Sequence, residues 1–275
     1  MNTEKLISPE IENFYTQTSE EARLQLGLGP LEFERNKDLI QRYLPKAGKG
    51  IVVDVGGGPG IYSEWLAKLG YTVHLIDPVP KHIKQATKRA NALKKPFKAT
   101  LGEAQQLAFA DESADIVILH GPLYHLQDKQ ARLKAIIEAK RVLKKNGIIL
   151  GFAINYAAST IAGLLNGFMH EPGFLDMCKR ELLSGIHTPP ASMPGSLAEA
   201  YYHKPTQLIE EFKEAGIEFI NIYAVEGLVW LDKKYFESRA DASKKQALTD
   251  LLSITENDLS LLALSPHMMI AARKI

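Results

Sequence analysis

One cysteine in 275 residues excludes an intramolecular disulfide. Cys178 alone fits a reducing compartment, and a cytoplasmic location is expected. Neither sign of charge is in excess: 33 Lys and Arg face 32 Asp and Glu, a formal net charge of +1. Nothing in that balance favours a nucleic-acid partner, and the basic stretch Lys81 to Lys98 reads as the solvated face of a helix. Long apolar runs are lacking, so no membrane span is expected. The opening, Met1 to Glu12, has early acids and no apolar centre, which is not the pattern of a signal peptide. There is no internal repeat and no low-complexity tract.

What the chain does have is a glycine-rich run, Val53-Asp54-Val55-Gly56-Gly57-Gly58-Pro59-Gly60. Ile51 to Val53 before it read as a buried parallel strand. Ile61, Trp65, Leu66 and Leu69 after it are spaced as one face of a helix that stops at Gly70. Glycines at such a junction let a ligand lie on bare backbone, facing the free N–H groups and positive dipole end of the helix. A dinucleotide fingerprint needs a third glycine three positions after the second; that position is Ile61, and glycine falls at 60 instead. Asp54 adds negative charge where a pyrophosphate would arrive. It suits a ligand with a cationic group, such as an amino-acid ammonium.

Strands and helices alternate around this run. Tyr71 to Ile76 reads as a second strand, ending at Asp77-Pro78, and a helix with Ile83, Ala86, Ala90 and Leu93 on one face stops at Pro96. Phe97 to Leu101 and Asp115 to Leu119 read as the third and fourth strands. The next helix is expected to turn Leu133, Ile136, Ile137 and Leu143 inward and to end in the cationic, glycine-capped Lys144-Lys145-Asn146-Gly147. Ile148 to Ile154, Gly216 to Val225 and His267 to Lys274 complete the set. This is an α/β pattern, with right-handed crossovers in an open parallel sheet. The whole chain, 1–275, reads as one domain. Residues 1–45 are expected to be a helical flap over the ligand site. Two segments break the alternation: 155–204, which holds the Pro/Gly-rich Thr188 to Gly195, and 227–266. Both are expected to be helical insertions, the first a cap above the C-terminal edge of the sheet.

The order Asp-x-Gly-x-Gly-x-Gly, from Asp54 to Gly60, resembles motif I of the class I S-adenosylmethionine (SAM)-dependent methyltransferases. The resemblance implies a Rossmann-like sheet of seven strands, mostly parallel, with an antiparallel last strand at an edge and helices on both faces. It implies SAM held by Asp54, Gly56, Gly57, Gly58 and Gly60. Asp77, with Pro78 beside it, stands where an acid accepts from ribose hydroxyls; dehydrogenases share that position, and an acid there also caps a helix. Leu101-Gly102-Glu103-Ala104, then Leu107-Ala108-Phe109, is similar to the family's Gly-Asp-Ala, then Leu-Pro-Phe. That implies Glu103 and Ala104 at the adenine, with Glu where Asp is commoner.

His120-Gly121-Pro122-Leu123-Tyr124-His125-Leu126 follows the fourth strand, where the family closes on the donor methyl and presents the acceptor. Histidine is suited to take a proton near neutral pH. His120 or His125 is therefore a candidate base, with a backbone contact to the cofactor as the other reading of His120. Tyr124 is a candidate to orient the acceptor. The segment is not the Asn/Asp-Pro-Pro-Tyr of many amino-group methyltransferases, and no Pro-Cys pair for cytosine C5 attack is present. Arg23-Leu24, Leu31-Glu32-Phe33, Gly185-Ile186-His187, Ala200-Tyr201-Tyr202-His203 and Val225-Glu226-Gly227 extend the resemblance to a group of bacterial methyltransferase-like proteins. Within it Arg23 is a candidate for the methionine carboxylate or for an acidic substrate. Tyr124, His125, His187, Tyr202 and His203 are candidates for the acceptor pocket. The expected activity is methyl transfer from SAM to a small molecule, without a metal. A catalytically silent SAM-binding regulator and an NAD(P)-dependent oxidoreductase remain as alternatives, the latter disfavoured by the glycine spacing.

Overall fold

The computed structural model describes residues 9–17, 19–193 and 197–275. The start of the expected flap and of the Met1 to Glu12 opening, and Pro194 and Gly195 of the Pro/Gly-rich stretch, lie outside them. Nine strands form among the described residues: β1 Ile51–Val55, β2 Thr72–Asp77, β3 Lys98–Leu101, β4 Ala114–Leu119, β5 Leu143–Asn155, β6 Ile186–His187, β7 Ala200–His203, β8 Glu218–Ala224 and β9 His267–Arg273. β1 and β4 are apolar almost throughout because helices cover both faces of the sheet. Strands β3, β2, β1, β4 and β5 run parallel in that spatial order. The order reverses at β1, which opens a crevice between the ends of β1 and β4.

β9 is antiparallel, as expected, but it is not at an edge. It lies between β5 and β8 and pairs with both. The composition explains the order: Met268 to Ala272 are buried, whereas β8 begins with the exposed Glu218 and can face water. β6 and β7 are strands inside the segment read as helical. β7 extends the sheet beside the end of β5, pairing Ile154 with Tyr202 and Asn155 with His203. The rest of that segment is helical over Ala158–Asn166 and Phe174–Ser184.

The helix Lys129–Val142 buries Leu133 and Ile136 as expected, but Ile137 is half exposed; Arg132 takes an inner position, paired to Glu211. Its end also differs. Leu143 is already extended, and Lys144 to Gly147 form the lead of β5, with Asn146 at φ +65° and Lys144 Nζ 2.8 Å from Asp115. Lys140 and Arg141 are the cations in the last helical turn.

Candidate functional site

A cavity of about 560 Å³ lies along the C-terminal ends of β1, β2, β4, β5 and the start of β9. Its floor is the glycine turn. Gly56, Gly58 and Gly60 have φ of +76°, +56° and +85°, values that L side chains rarely adopt. A Cβ on Gly60 would meet Phe97 Cζ at 2.9 Å, and one on Gly57 would meet Asp54 Oδ2 at 2.6 Å. A Cβ on Gly58 would meet nothing within 4 Å, so the space above that backbone is open to a ligand. Gly60 caps the helix Ile61–Lys68, whose N-terminus faces the cavity side of the turn.

Asp77 ties the turn to β2. Its Oδ2 accepts from Gly58 N at 2.9 Å, and its Oδ1 lies 2.9 Å from Val79 N and 3.0 Å from His82 Nδ1. Asp77, Pro78, Glu103 and Ala104 all line the cavity with Gly56, Gly57 and Gly58. Asp54 does not. It is fully buried beneath the turn, with Ser63 Oγ on Oδ2 at 2.7 Å and His120 Nδ1 3.2 Å from Oδ1. Its carboxylate therefore faces other side chains and is not open to a ligand ammonium. Gly60 is likewise turned into the packing against Phe97.

His120, Tyr124 and His125 line the cavity together. The His120 ring is stacked between Tyr62, at 4.4 Å, and Phe152, at 4.3 Å. Tyr15 Oη lies 2.6 Å from His125 Nε2. Burial, helped by His82, pushes His125 down to about 4, so this ring is neutral at physiological pH. Tyr202 also lines the cavity, and burial with nearby Glu181 pushes its phenol up. His187 and His203 stand behind the wall. His187 Nδ1 is 2.6 Å from Glu181 and its ring stacks on Tyr202; His203 Nε2 is 3.3 Å from Glu211, which also pairs with Arg132. Both are held within the fold and do not reach the cavity.

Arg23 lines the cavity and forms a two-pronged ion pair with Glu32, at 2.6 and 3.1 Å. Beyond it stands a group that the sequence did not assign: Asn36, Tyr62, Glu226 and His267. His267 Nδ1 is 2.6 Å from Glu226 Oε1. Burial alone would push His267 down; Glu226 and Glu32 outweigh it and lift it to about 9, against Arg23. Burial pushes Glu32 up, and the cations His267 and Arg23 more than reverse that. Glu32, Glu226 and His267 each bring a ligand atom within 4.8 Å of the others, but all three are committed to this ion-pair chain. Leu31-Glu32-Phe33 and Val225-Glu226-Gly227 stood out in the sequence without a role. Asn36, Tyr62 and His267 gave no signal beyond helix-face and strand-end positions.

Residues 53–151, from β1 into β5, match the family model of the methyltransferase domain. The ubiquinone biosynthesis O-methyltransferase of Azorhizobium caulinodans is 30% identical over 115 residues, 42% of this chain and 44% of that protein. The chain spans less than half the length of the curated relatives it matches first. Among solved structures, a SAM-dependent methyltransferase from Methanosarcina mazei superposes with a TM-score of 0.59 at 18% identity, covering 86% of this chain and 97% of the other. One from Mesorhizobium loti gives 0.58 at 13% identity, over 88% and 99%. The fold is that of SAM-dependent methyltransferases.

Proposed function

We propose, from the match of residues 53–151 to the methyltransferase-domain family model, that the chain binds SAM and transfers its methyl group to a small-molecule acceptor. The observation that carries this reading is the open space above Gly58, framed by Asp77, Glu103 and Ala104 in one cavity with His120, Tyr124 and His125. In this reading Gly56, Gly57 and Gly58 lie against the cofactor, Asp77 and Pro78 border the ribose, and Glu103 and Ala104 border the adenine. Arg23 and Glu32 line the cavity as an ion pair, whose two charges are opposite in sign to the carboxylate and ammonium of a methionine end lying against it.

SAM supplies an electrophilic methyl group on a sulfonium, which is the hard part of the chemistry. The chain's own residues align the acceptor, a contribution of ~7–11 kcal/mol in well-oriented systems. Phe152, Ile154, Ala158, Leu197 and Trp230 give the acceptor half of the cavity an apolar wall. Among the described residues, helices before residue 45 and the segments 155–204 and 227–266 contribute to that wall, and a flap and cap so placed favour a small acceptor over a polymer. The near-neutral charge supports the same choice. Among the described residues no helix is long and apolar enough to cross a membrane; a cytoplasmic setting is proposed from the single buried Cys178.

The test is incubation with methyl-labelled SAM and a metabolite extract, followed by identification of the labelled product. A labelled small molecule is expected. Binding of SAM with no labelled product would favour the silent regulator.

A further inference from the structure

We propose that Asp54 and His120 form a proton-accepting pair, in which Asp54 fixes the imidazole tautomer and His120 Nε2 takes the proton of a hydroxyl acceptor. This rests on the SAM reading above and names its substrate class.

The chemistry follows from which atoms can donate. A carboxylate only accepts, so the contact of Asp54 Oδ1 with His120 Nδ1, at 3.2 Å, puts the ring proton on Nδ1. In the neutral ring Nε2 then carries a lone pair. The ring cannot swing away, because Tyr62 and Phe152 stack on its two faces. Asp54 is fixed in turn by Ser63 Oγ and by the glycine turn packed over it. His120 Nε2 is buried with no hydrogen-bond partner among the described residues, and His120 lines the cavity. Asn36 Oδ1, another lining residue, is buried in the same condition. An unpaired buried acceptor is costly to leave unmet, and such groups in a cavity wall mark where a ligand completes the set. Both orphan atoms are acceptors, so the group that completes them must donate. A hydroxyl does; an ether or a tertiary amine does not.

His125 is the rival base in the same wall. Its Nε2 is engaged by the Tyr15 hydroxyl, and burial depresses its basicity to about 4. His125 Nδ1 is buried without a partner as well, but on a ring of such low basicity, and with no carboxylate to fix its tautomer, it is the poorer proton acceptor, and His120 Nε2 is assigned to the substrate. In the step, the acceptor O–H proton moves to His120 Nε2 and the oxygen lone pair forms the O–CH3 bond. The S–CH3 bond breaks with its electron pair going to sulfur, leaving the thioether product. The imidazolium then returns its proton to water.

Nitrogen-15 NMR of the full chain with S-adenosylhomocysteine added reads the tautomer without any acceptor. A protonated Nδ1 and a bare Nε2 on His120 are expected. In Asp54→Asn the carboxamide keeps its oxygen on Ser63 Oγ and turns its NH2 toward Nδ1, so the tautomer inverts. Transfer of labelled methyl from SAM to phenol should fall at least about 100-fold in Asp54→Asn and in His120→Ala, with S-adenosylhomocysteine affinity within about threefold of the parent. A parent chain with hydrogen on Nε2, full transfer to phenol in His120→Ala, or transfer to aniline but not to phenol would overturn the proposal. Failure to bind S-adenosylhomocysteine would refute the cofactor reading instead, and the tautomer alone would then decide the pair.

Discussion

Glu226→Gln tests the ion-pair chain at the far end of the cavity. Burial would lower His267, yet Glu226 at 2.6 Å and Glu32 lift it from the ordinary 6.5 to about 9, with Arg23 opposing. A shift of that size corresponds to about 3 kcal/mol of coupling between folding and protonation. The sign follows from the direction. A folded-state value raised above the unfolded one stabilises fully below pH 6.5, and that contribution disappears as pH rises through about 9. Gln keeps an oxygen for Ser265 Oγ and His267 N but removes the charge. The variant should therefore be less stable than the parent by about 2–3 kcal/mol at pH 6, and the gap should shrink below about 1 kcal/mol at pH 10. Urea unfolding followed by circular dichroism at pH 6, 8 and 10 measures it. Titrating groups remote from this ion-pair chain behave alike in both proteins and cancel in the difference. A gap that is constant, or that widens with pH, would refute the reasoning.

Three further outcomes follow from particular contacts. Gly58→Ala should cost about 1–2 kcal/mol of stability, from its φ of +56° alone, because a Cβ there meets nothing; calorimetry should nonetheless show S-adenosylhomocysteine affinity falling more than about tenfold, since the methyl enters the cofactor's space. Glu211→Gln breaks the buried group with Arg132 and His203 and should cost about 3–5 kcal/mol in chemical unfolding without changing ligand affinity. Burial pushes Glu211 up, but His203 and Arg132 hold it down at about 2. Its contribution is thus present above the usual carboxylate range near 4.5 and is lost as pH falls toward 2, and an acid titration of parent and variant should converge there.

The strand-turn-helix around Gly56 to Gly60 was legible because its signals are local: an apolar run, glycines at positive φ and a 3.6-residue period in ten residues of chain. Asp77 was legible for the same reason, one βαβ unit away. Long-range pairing was not. β9 lies inside the sheet because β5 and β8 both accept it, which a strand's own pattern does not reveal. His187 and His203 read as pocket residues in the sequence, but Glu181 and Glu211, from neighbouring helices, each hold one nitrogen of these rings behind the wall. Conversely, Asn36, Tyr62 and His267 reach one wall from three distant parts of the chain. The charge of Asp54 suits a ligand ammonium in the sequence, but its burial beneath Gly57 turns that charge toward His120.

The central claim is that the glycine turn is a SAM site. Isothermal titration of the full chain with S-adenosylhomocysteine and, separately, with NADH tests it most directly. One S-adenosylhomocysteine should bind per chain, strongly weakened by Asp77→Ala, which removes the acceptor for Gly58 N as well as the proposed ribose partner, and NADH should not bind. Binding of NADH without S-adenosylhomocysteine would contradict the account.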